Sequence, residues 1–220
     1  MISDILLYIM NMKEEIQKLI KGEISEDEEV LEKMSKDASI FKVRPALVIA
    51  PKDSDDIKSL IKFASEKRSA GENVSLSPRV GGTCMSGGSL TESIVLDMTK
   101  YFNEVDEVDA ENKKIVVDSG VYYRDLEKES IKADLEVATY TSSKNICGVG
   151  GMIGNNASGE RSIVYGATSK QINSLNVILS DGSEVVMKPL NIVELEEKKK
   201  QNDFEGEIYR KITDLVGRNK

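Results

Sequence analysis

Apolar residues recur along this chain with two different spacings, and the switches between them divide it into elements. Over residues 5–21, Ile5, Ile9, Met12, Ile16, Leu19 and Ile20 recur every three or four positions among Lys and Glu, which predicts an amphipathic helix. Gly22 stops it, and Ser25 ahead of Asp27, Glu28 and Glu29 reads as the cap of a second short helix through residue 36. Residues 1–37 are therefore expected to form a solvated helical arm packed on the main domain. The run P-A-L-V-I-A-P at 45–51 is bounded by proline and rich in branched side chains, as in a buried strand. Ser54 precedes Asp55 and Asp56, and Ile57, Leu60, Ile61 and Ala64 follow at helical spacing, predicting a capped helix to about residue 68.

Strands are expected at 74–78 and 93–97, and again at 104–108 and 114–118 around a polar turn at 106–112, followed by a helix over 123–132. Residues 172–180 place apolar side chains at nearly every other position, end at Asp181-Gly182 and return through 184–188, which is the signature of a β-hairpin. Residues 194–201 are almost all charged, and 207–216 is a weakly amphipathic helix, giving a charged helical tail over 191–220. Strands outnumber helices in this reading and do not alternate with them regularly, so the expected class is α+β and not a doubly wound parallel sheet.

Nine of the 16 glycines fall in two clusters, P-R-V-G-G-T-C-M-S-G-G at 78–88 and G-V-G-G-M-I-G-N-N-A-S-G at 148–159. Glycine tolerates positive φ and lets a ligand approach the backbone, so two such clusters point to a polyphosphate or dinucleotide held by amide groups. The first cluster leads into a strand and not a helix, which excludes the Rossmann fingerprint, and the absence of a Gly-Lys-Ser/Thr sequence there excludes a Walker loop.

Composition narrows the chemistry. Thirty-eight acidic against 30 basic residues give a net charge of −8, a poor basis for binding nucleic acid. The apolar run at 1–12 is too short to span a bilayer, so no transmembrane segment is expected. Two cysteines, Cys84 and Cys147, make no disulfide framework, and a reducing cytoplasmic setting, with membrane association only through a partner, is the simpler expectation. Whether the two thiols approach one another is left open. Histidine is absent, which removes the commonest general base, and no cluster suggests a metal site. Tyr122, Tyr123, Tyr140 and Tyr165 are candidate acids or bases by type only, and packing explains each better.

Taken together, the two glycine clusters, Y-G-A-T at 165–168 and L-S-D-G at 179–182 resemble, in order and spacing, the FAD-binding domain of the FAD-linked oxidases, the p-cresol methylhydroxylase and vanillyl-alcohol oxidase superfamily. The likeness runs over about residues 38–188 and is strongest to D-lactate dehydrogenases and the glycolate oxidase FAD subunit. It implies a domain over 38–190 of two α+β subdomains, about 38–100 and 101–190, with FAD extended between them. It also implies that the amides of Arg79, Val80, Gly81, Gly82 and Thr83 bind the pyrophosphate, with Cys84, Ser86 and Gly87 beside them. Gly150, Gly151, Asn155, Ser158 and Gly159 match the second cofactor-contacting segment, Ser142 the connection before it, and Ile178 the strand that meets the adenine part.

The chain departs from the family where Val80 replaces a glycine, Cys84 a serine and Gly148 a threonine. Without histidine, the histidyl route to covalent flavin is closed, so noncovalent FAD is expected. In a complete enzyme of this kind, substrate hydride passes to the flavin while a protein base takes the hydroxyl proton. The substrate region would follow the FAD domain, so the expectation is an FAD-binding part of an oxidoreductase acting on 2-hydroxy acids, incomplete for catalysis alone. The alternatives are a noncatalytic module completed by a partner subunit and, more remotely, a reductase acting on a sugar nucleotide.

Overall fold

The computed structural model describes the backbone of residues 2–219 and side chains from Tyr8 to Asn219. The Ile5 side chain and Lys220, both covered by the expectations above, lie outside the described residues. The chain folds into two compact units, Met1–Gln171 and Ile172–Lys220. That division does not coincide with the boundaries expected after residues 37, 100 and 190.

In the first unit the elements in chain order are α1 (Ile2–Gln17), β1 (Glu23–Ser25), α2 (Glu28–Met34), β2 (Leu47–Ala50), α3 (Ser54–Ser69), β3 (Leu76–Arg79), β4 (Ile94–Asp97), α4 (Tyr123–Lys132), α5 (Val149–Gly154) and α6 (Ser162–Tyr165). A 3-10 turn follows at Thr168–Gln171. Four strands form a sheet in the order β1-β2-β4-β3, with β4 parallel to both β2 and β3, and β1 antiparallel to β2. Side chains alternate faces along a strand, so a continuous apolar run suits a strand covered on both sides. Accordingly Leu47 and Ile49 pack with Met12, Ile16, Leu60, Phe63 and Val74, whereas Val48 packs with Val95, Leu31 and Met34. α1 and α3 thus cover one face and α2 the other.

The N-terminal segment is more than an arm, since it supplies core residues and the edge strand β1. The caps also differ from expectation. Asp27, not Ser25, caps α2 by accepting from the amides of Glu29 and Val30, and Asp53, not Ser54, caps α3 by accepting from that of Asp56. Beyond β4, the strands expected at 104–108 and 114–118 are reduced to isolated bridges, Val105 with Val117 and Asp109 with Lys114. Here Val121, Leu126 and Val149 form a second core with Val105, Ile115, Val117 and Ile153 around α4 and α5.

The second unit contains the hairpin β5 (Leu175–Ile178) and β6 (Glu184–Met187), then α7 (Ile192–Lys200) and α8 (Phe204–Arg218). Gly182 takes φ of 86° at the turn, and Asp181 accepts from the amide and hydroxyl of Ser183. Among the described residues α-helices outnumber strands, eight to six, reversing the expected balance while leaving the class α+β. No helix among them is long and apolar enough to cross a membrane.

Candidate functional site

β3 ends at Arg79 and releases the chain into the first glycine loop, which Gly82 and Gly87 turn with φ of 62° and 77°. This loop lies against the segment leading into the second cluster. A Cβ on Gly81 would sit 2.0 Å from the Ile146 carbonyl oxygen, and one on Gly148 would sit 2.1 Å from Val80 Cγ1. Val80 and Gly148 are therefore two halves of one fit: the Val80 side chain occupies the space beside Gly148.

The loop amides are the chemically available groups. Among the described residues, no oxygen accepts from the backbone N–H of Gly81, Gly82 or Thr83. Consecutive amides turned by a positive-φ glycine make a nest suited to an anion. The residues present thus fit the pyrophosphate of FAD at this loop.

The second cluster works differently. The amide of Gly150 donates to Ser119 O at 2.8 Å, that of Asn155 to Gly151 O at 3.1 Å and that of Gly159 to Ser162 Oγ at 2.9 Å. Its glycines serve close backbone packing, since a Cβ on Gly150 would lie 2.6 Å from Ser119 O and one on Gly159 2.0 Å from Tyr140 O. Gly151 has open space where a Cβ would stand, and Asn155 and Ser158 are exposed beside it. The contact between Gly159 and Tyr140 brings the exposed Ser142 connection alongside this segment. Gly120 matters equally: a Cβ there would lie 1.9 Å from Met98 O, joining the two halves of the first unit. Ile178 belongs to the second unit, on β5.

Arg79 does not project from the surface. It is 8% exposed, and its guanidinium donates to the carbonyl oxygens of Met34, at 3.0 Å, and Lys36. Burial lowers its pKa from the ordinary guanidinium value, against the pull of Asp37, Asp97 and Tyr122. Arg161 instead forms an ion pair with Glu136 and stands over the Tyr140 ring, 5.2 Å from its centroid. Tyr123 packs against Tyr140 with ring centroids 6.1 Å apart, and burial followed by the Glu127 charge pushes its phenol well above the usual range. These contacts explain both tyrosines as packing residues.

Cys84 and Cys147 are free thiols in different surroundings. Cys147 is 3% exposed, whereas Cys84 lies half-buried with its sulfur 3.2 Å from Ser86 Oγ. The Ser86 hydroxyl, then the amides of Ser86 and Gly88, hold the Cys84 pKa below the usual thiol value by favouring the thiolate. Alkylation of native protein should therefore label Cys84 alone, with a rate that rises at lower pH than for an unperturbed thiol. Peptide mapping that found Cys147 labelled first would contradict this arrangement.

Sequence reasoning located both glycine clusters but missed the carbonyls of Ser119, Tyr140 and Ile146 that they pack on, and missed Phe41, whose ring would lie 3.1 Å from a Cβ on Gly87. Backbone carbonyls leave no trace in residue identity.

Comparison with known proteins gives the family and the fold. Residues 45–188 match the family described as FAD binding domain. D-2-hydroxyglutarate dehydrogenase of Pseudomonas putida is 31% identical over 195 residues, covering 89% of this chain and 19% of that protein. Glycolate oxidase subunit GlcD of Bacillus subtilis is 32% identical over 143 residues, covering 64% of this chain and 29% of that protein. The chain thus spans 19% and 29% of the length of these two relatives. The crystal structure of 6-hydroxy-D-nicotine oxidase from Arthrobacter nicotinovorans superposes with a TM-score of 0.66 at 23% identity, over 77% of this chain and 36% of that one. That likeness identifies the α+β fold as the p-cresol methylhydroxylase type. With the family match spanning both glycine clusters, including the nest in the first of them, this chain belongs to the FAD binding domain family.

Proposed function

We propose that this chain is the cofactor-holding part of an FAD-dependent oxidoreductase that oxidises a 2-hydroxy acid, with the flavin bound noncovalently. The observation that carries the cofactor half is the row of unpartnered amides at Gly81, Gly82 and Thr83, within the segment matched to the FAD binding domain. The substrate half rests on relatives named for 2-hydroxyglutarate and glycolate, both 2-hydroxy acids.

In this reading FAD, when bound, supplies the two-electron acceptor, and the protein contributes binding and orientation. Gly81, Gly82 and Thr83 hold the pyrophosphate by their amides, with Val80, Cys84, Ser86 and Gly87 shaping the loop. Gly150, Gly151, Asn155, Ser158, Gly159 and Ser142 line the neighbouring segment, and Ile178 meets the adenine part. A backbone nest needs no dense field of cationic side chains, which suits a chain of net charge −8. Among the described residues, no side chain is placed as the proton acceptor for a hydroxy acid.

A second reading has a specific motive: the glycolate oxidase relative is named as a subunit. The FAD-binding part would then be completed by another polypeptide, which supplies the substrate-holding groups and passes on the electrons. Purified protein incubated with FAD and freed of excess should show a bound flavin absorption spectrum, and acid should release FAD intact. Protein that stays colourless would overturn the cofactor assignment. Turnover of glycolate or D-2-hydroxyglutarate with an artificial acceptor would favour catalysis by this chain. Bound FAD without turnover would favour completion by a partner.

A further inference from the structure

The buried Arg79 cation has no anionic partner. Its two hydrogen-bond partners, the carbonyl oxygens of Met34 and Lys36, are neutral, and among the described residues no carboxylate reaches ion-pair distance. The nearest carboxylates are engaged elsewhere. Asp37 accepts from the Ser39 amide at 2.8 Å and the Ser89 hydroxyl at 3.4 Å, and Asp97 accepts from the amide and hydroxyl of Thr99 at 2.9 and 2.6 Å. A charge removed from water without a counter-ion is costly to the fold, so its persistence calls for a compensating interaction.

The same guanidinium lies directly against the nest. A Cβ on Gly82 would stand 2.2 Å from Arg79 Nη2 and 2.8 Å from Cζ, so only glycine lets the loop rest on the cation. Gly82 is also the positive-φ residue that turns the unpartnered amides. An anion held by those amides would therefore lie close to a buried positive charge in poorly screening surroundings, where attraction is far stronger than in water.

We propose that Arg79 is the electrostatic positioning residue of this nest: it supports the loop through the α2 carbonyls and attracts a pyrophosphate across the Gly82 peptide without touching it. This deepens the FAD reading and rests on it. Its consequence is that the side chain's charge, and not its hydrogen-bonding fork, governs how strongly the pyrophosphate is held. Arginine and lysine separate these properties, because lysine keeps the charge but cannot reproduce the fork.

FAD affinity should be measured by quenching of flavin fluorescence in wild type, Arg79→Lys and Arg79→Gln, with thermal melting followed by circular dichroism on each. Both variants should melt earlier, having lost the fork to Met34 and Lys36. Arg79→Gln should bind FAD roughly tenfold to hundredfold more weakly, whereas Arg79→Lys should stay within about threefold of wild type. Inorganic pyrophosphate should raise the melting temperature of wild type and Arg79→Lys more than that of Arg79→Gln. Equal weakening in both variants would reduce Arg79 to a structural strut, and unchanged affinity in Arg79→Gln would remove its electrostatic role. Either result would overturn the inference while leaving FAD binding by the wild type intact. Wild type that binds no FAD would sink the underlying cofactor reading instead.

Discussion

Replacing Gly148 with threonine should destabilise the first unit and weaken FAD binding, and adding Val80→Gly should recover much of both losses. The new Cβ would lie 2.1 Å from Val80 Cγ1 and 2.5 Å from Val80 Cβ, inside any tolerable contact. Valine cannot swing aside easily, because its β-branch restricts it to few χ1 states. Overpacking of this kind costs about 1–3 kcal/mol, with the upper end expected where the neighbour is stiff. Val80→Gly alone removes the filling side chain and frees the backbone of a loop whose conformation matters, a loss of about 1–2 kcal/mol. If the two positions form one fit, the double variant should be more stable than the sum of the single effects by at least about 1 kcal/mol, as residues in contact show. Urea unfolding of the four proteins, with an FAD titration on each, measures that coupling. Strictly additive effects would mean that the loops do not depend on each other.

The largest loss of stability should come from Asp56→Ala. Asp56 is buried, and its carboxylate accepts three backbone amides at 2.8 Å each: Lys21 on Oδ1, and Gly22 and Lys52 on Oδ2. It thus ties the end of the first helical segment to the exit of β2 and the start of α3. Removing it leaves the buried Gly22 amide and the part-buried amides of Lys21 and Lys52 without their acceptor, a loss of about 3–5 kcal/mol. Asp56→Asn keeps an acceptor oxygen but presents an NH2 group to at least one donor, so it should lose roughly half as much. A denaturant midpoint that moves down while the slope stays constant would register the effect. A midpoint shift for alanine no larger than that of a surface substitution would contradict this role.

Elements governed by side-chain periodicity were legible in the sequence. The helix over 123–132 and the hairpin at Asp181-Gly182 stand where the pattern put them, because apolar spacing and turn chemistry agree there. Helix starts were legible only to within one or two residues, since Asp27 and Asp53 are as competent to cap as the neighbouring serines and local geometry chooses between them. β1 spans three residues, too few to carry a period. α5 was invisible for another reason. V-G-G-M-I-G has poor helix propensity, and it is held by tertiary contacts, with Val149 and Met152 buried and the amides of Val149 and Gly150 donating to the carbonyl oxygens of Val121 and Ser119. The acidic and basic run at 194–201 forms α7 through an Asn191–Glu194 capping box and ion pairs between Glu196 and Lys199 and between Glu197 and Lys200.

For the site, the glycines pointed to an anion-binding loop but not to the difference between the clusters. In the first the amides of Gly81, Gly82 and Thr83 have no acceptor among the described residues, whereas in the second those of Gly150, Asn155 and Gly159 are taken by Ser119 O, Gly151 O and Ser162 Oγ. For Arg79 the resemblance implied a backbone contact to the pyrophosphate and gave no sign that its side chain is buried. Its burial depends on where α2 ends, which no pattern within residues 78–88 encodes.

β3 lies at the edge of the four-stranded sheet and carries Pro78 one residue before Arg79. Proline offers no amide hydrogen, so a foreign strand arriving at this edge would meet a missing rung. The opposite edge, β1, is only three residues long. A dinucleotide-holding loop must leave amides unpaired, and unpaired amides beside a sheet edge invite strand addition and aggregation. By placing proline at the threshold of the loop, the chain removes the rung along which a foreign strand would extend toward the unpartnered amides of Gly81, Gly82 and Thr83.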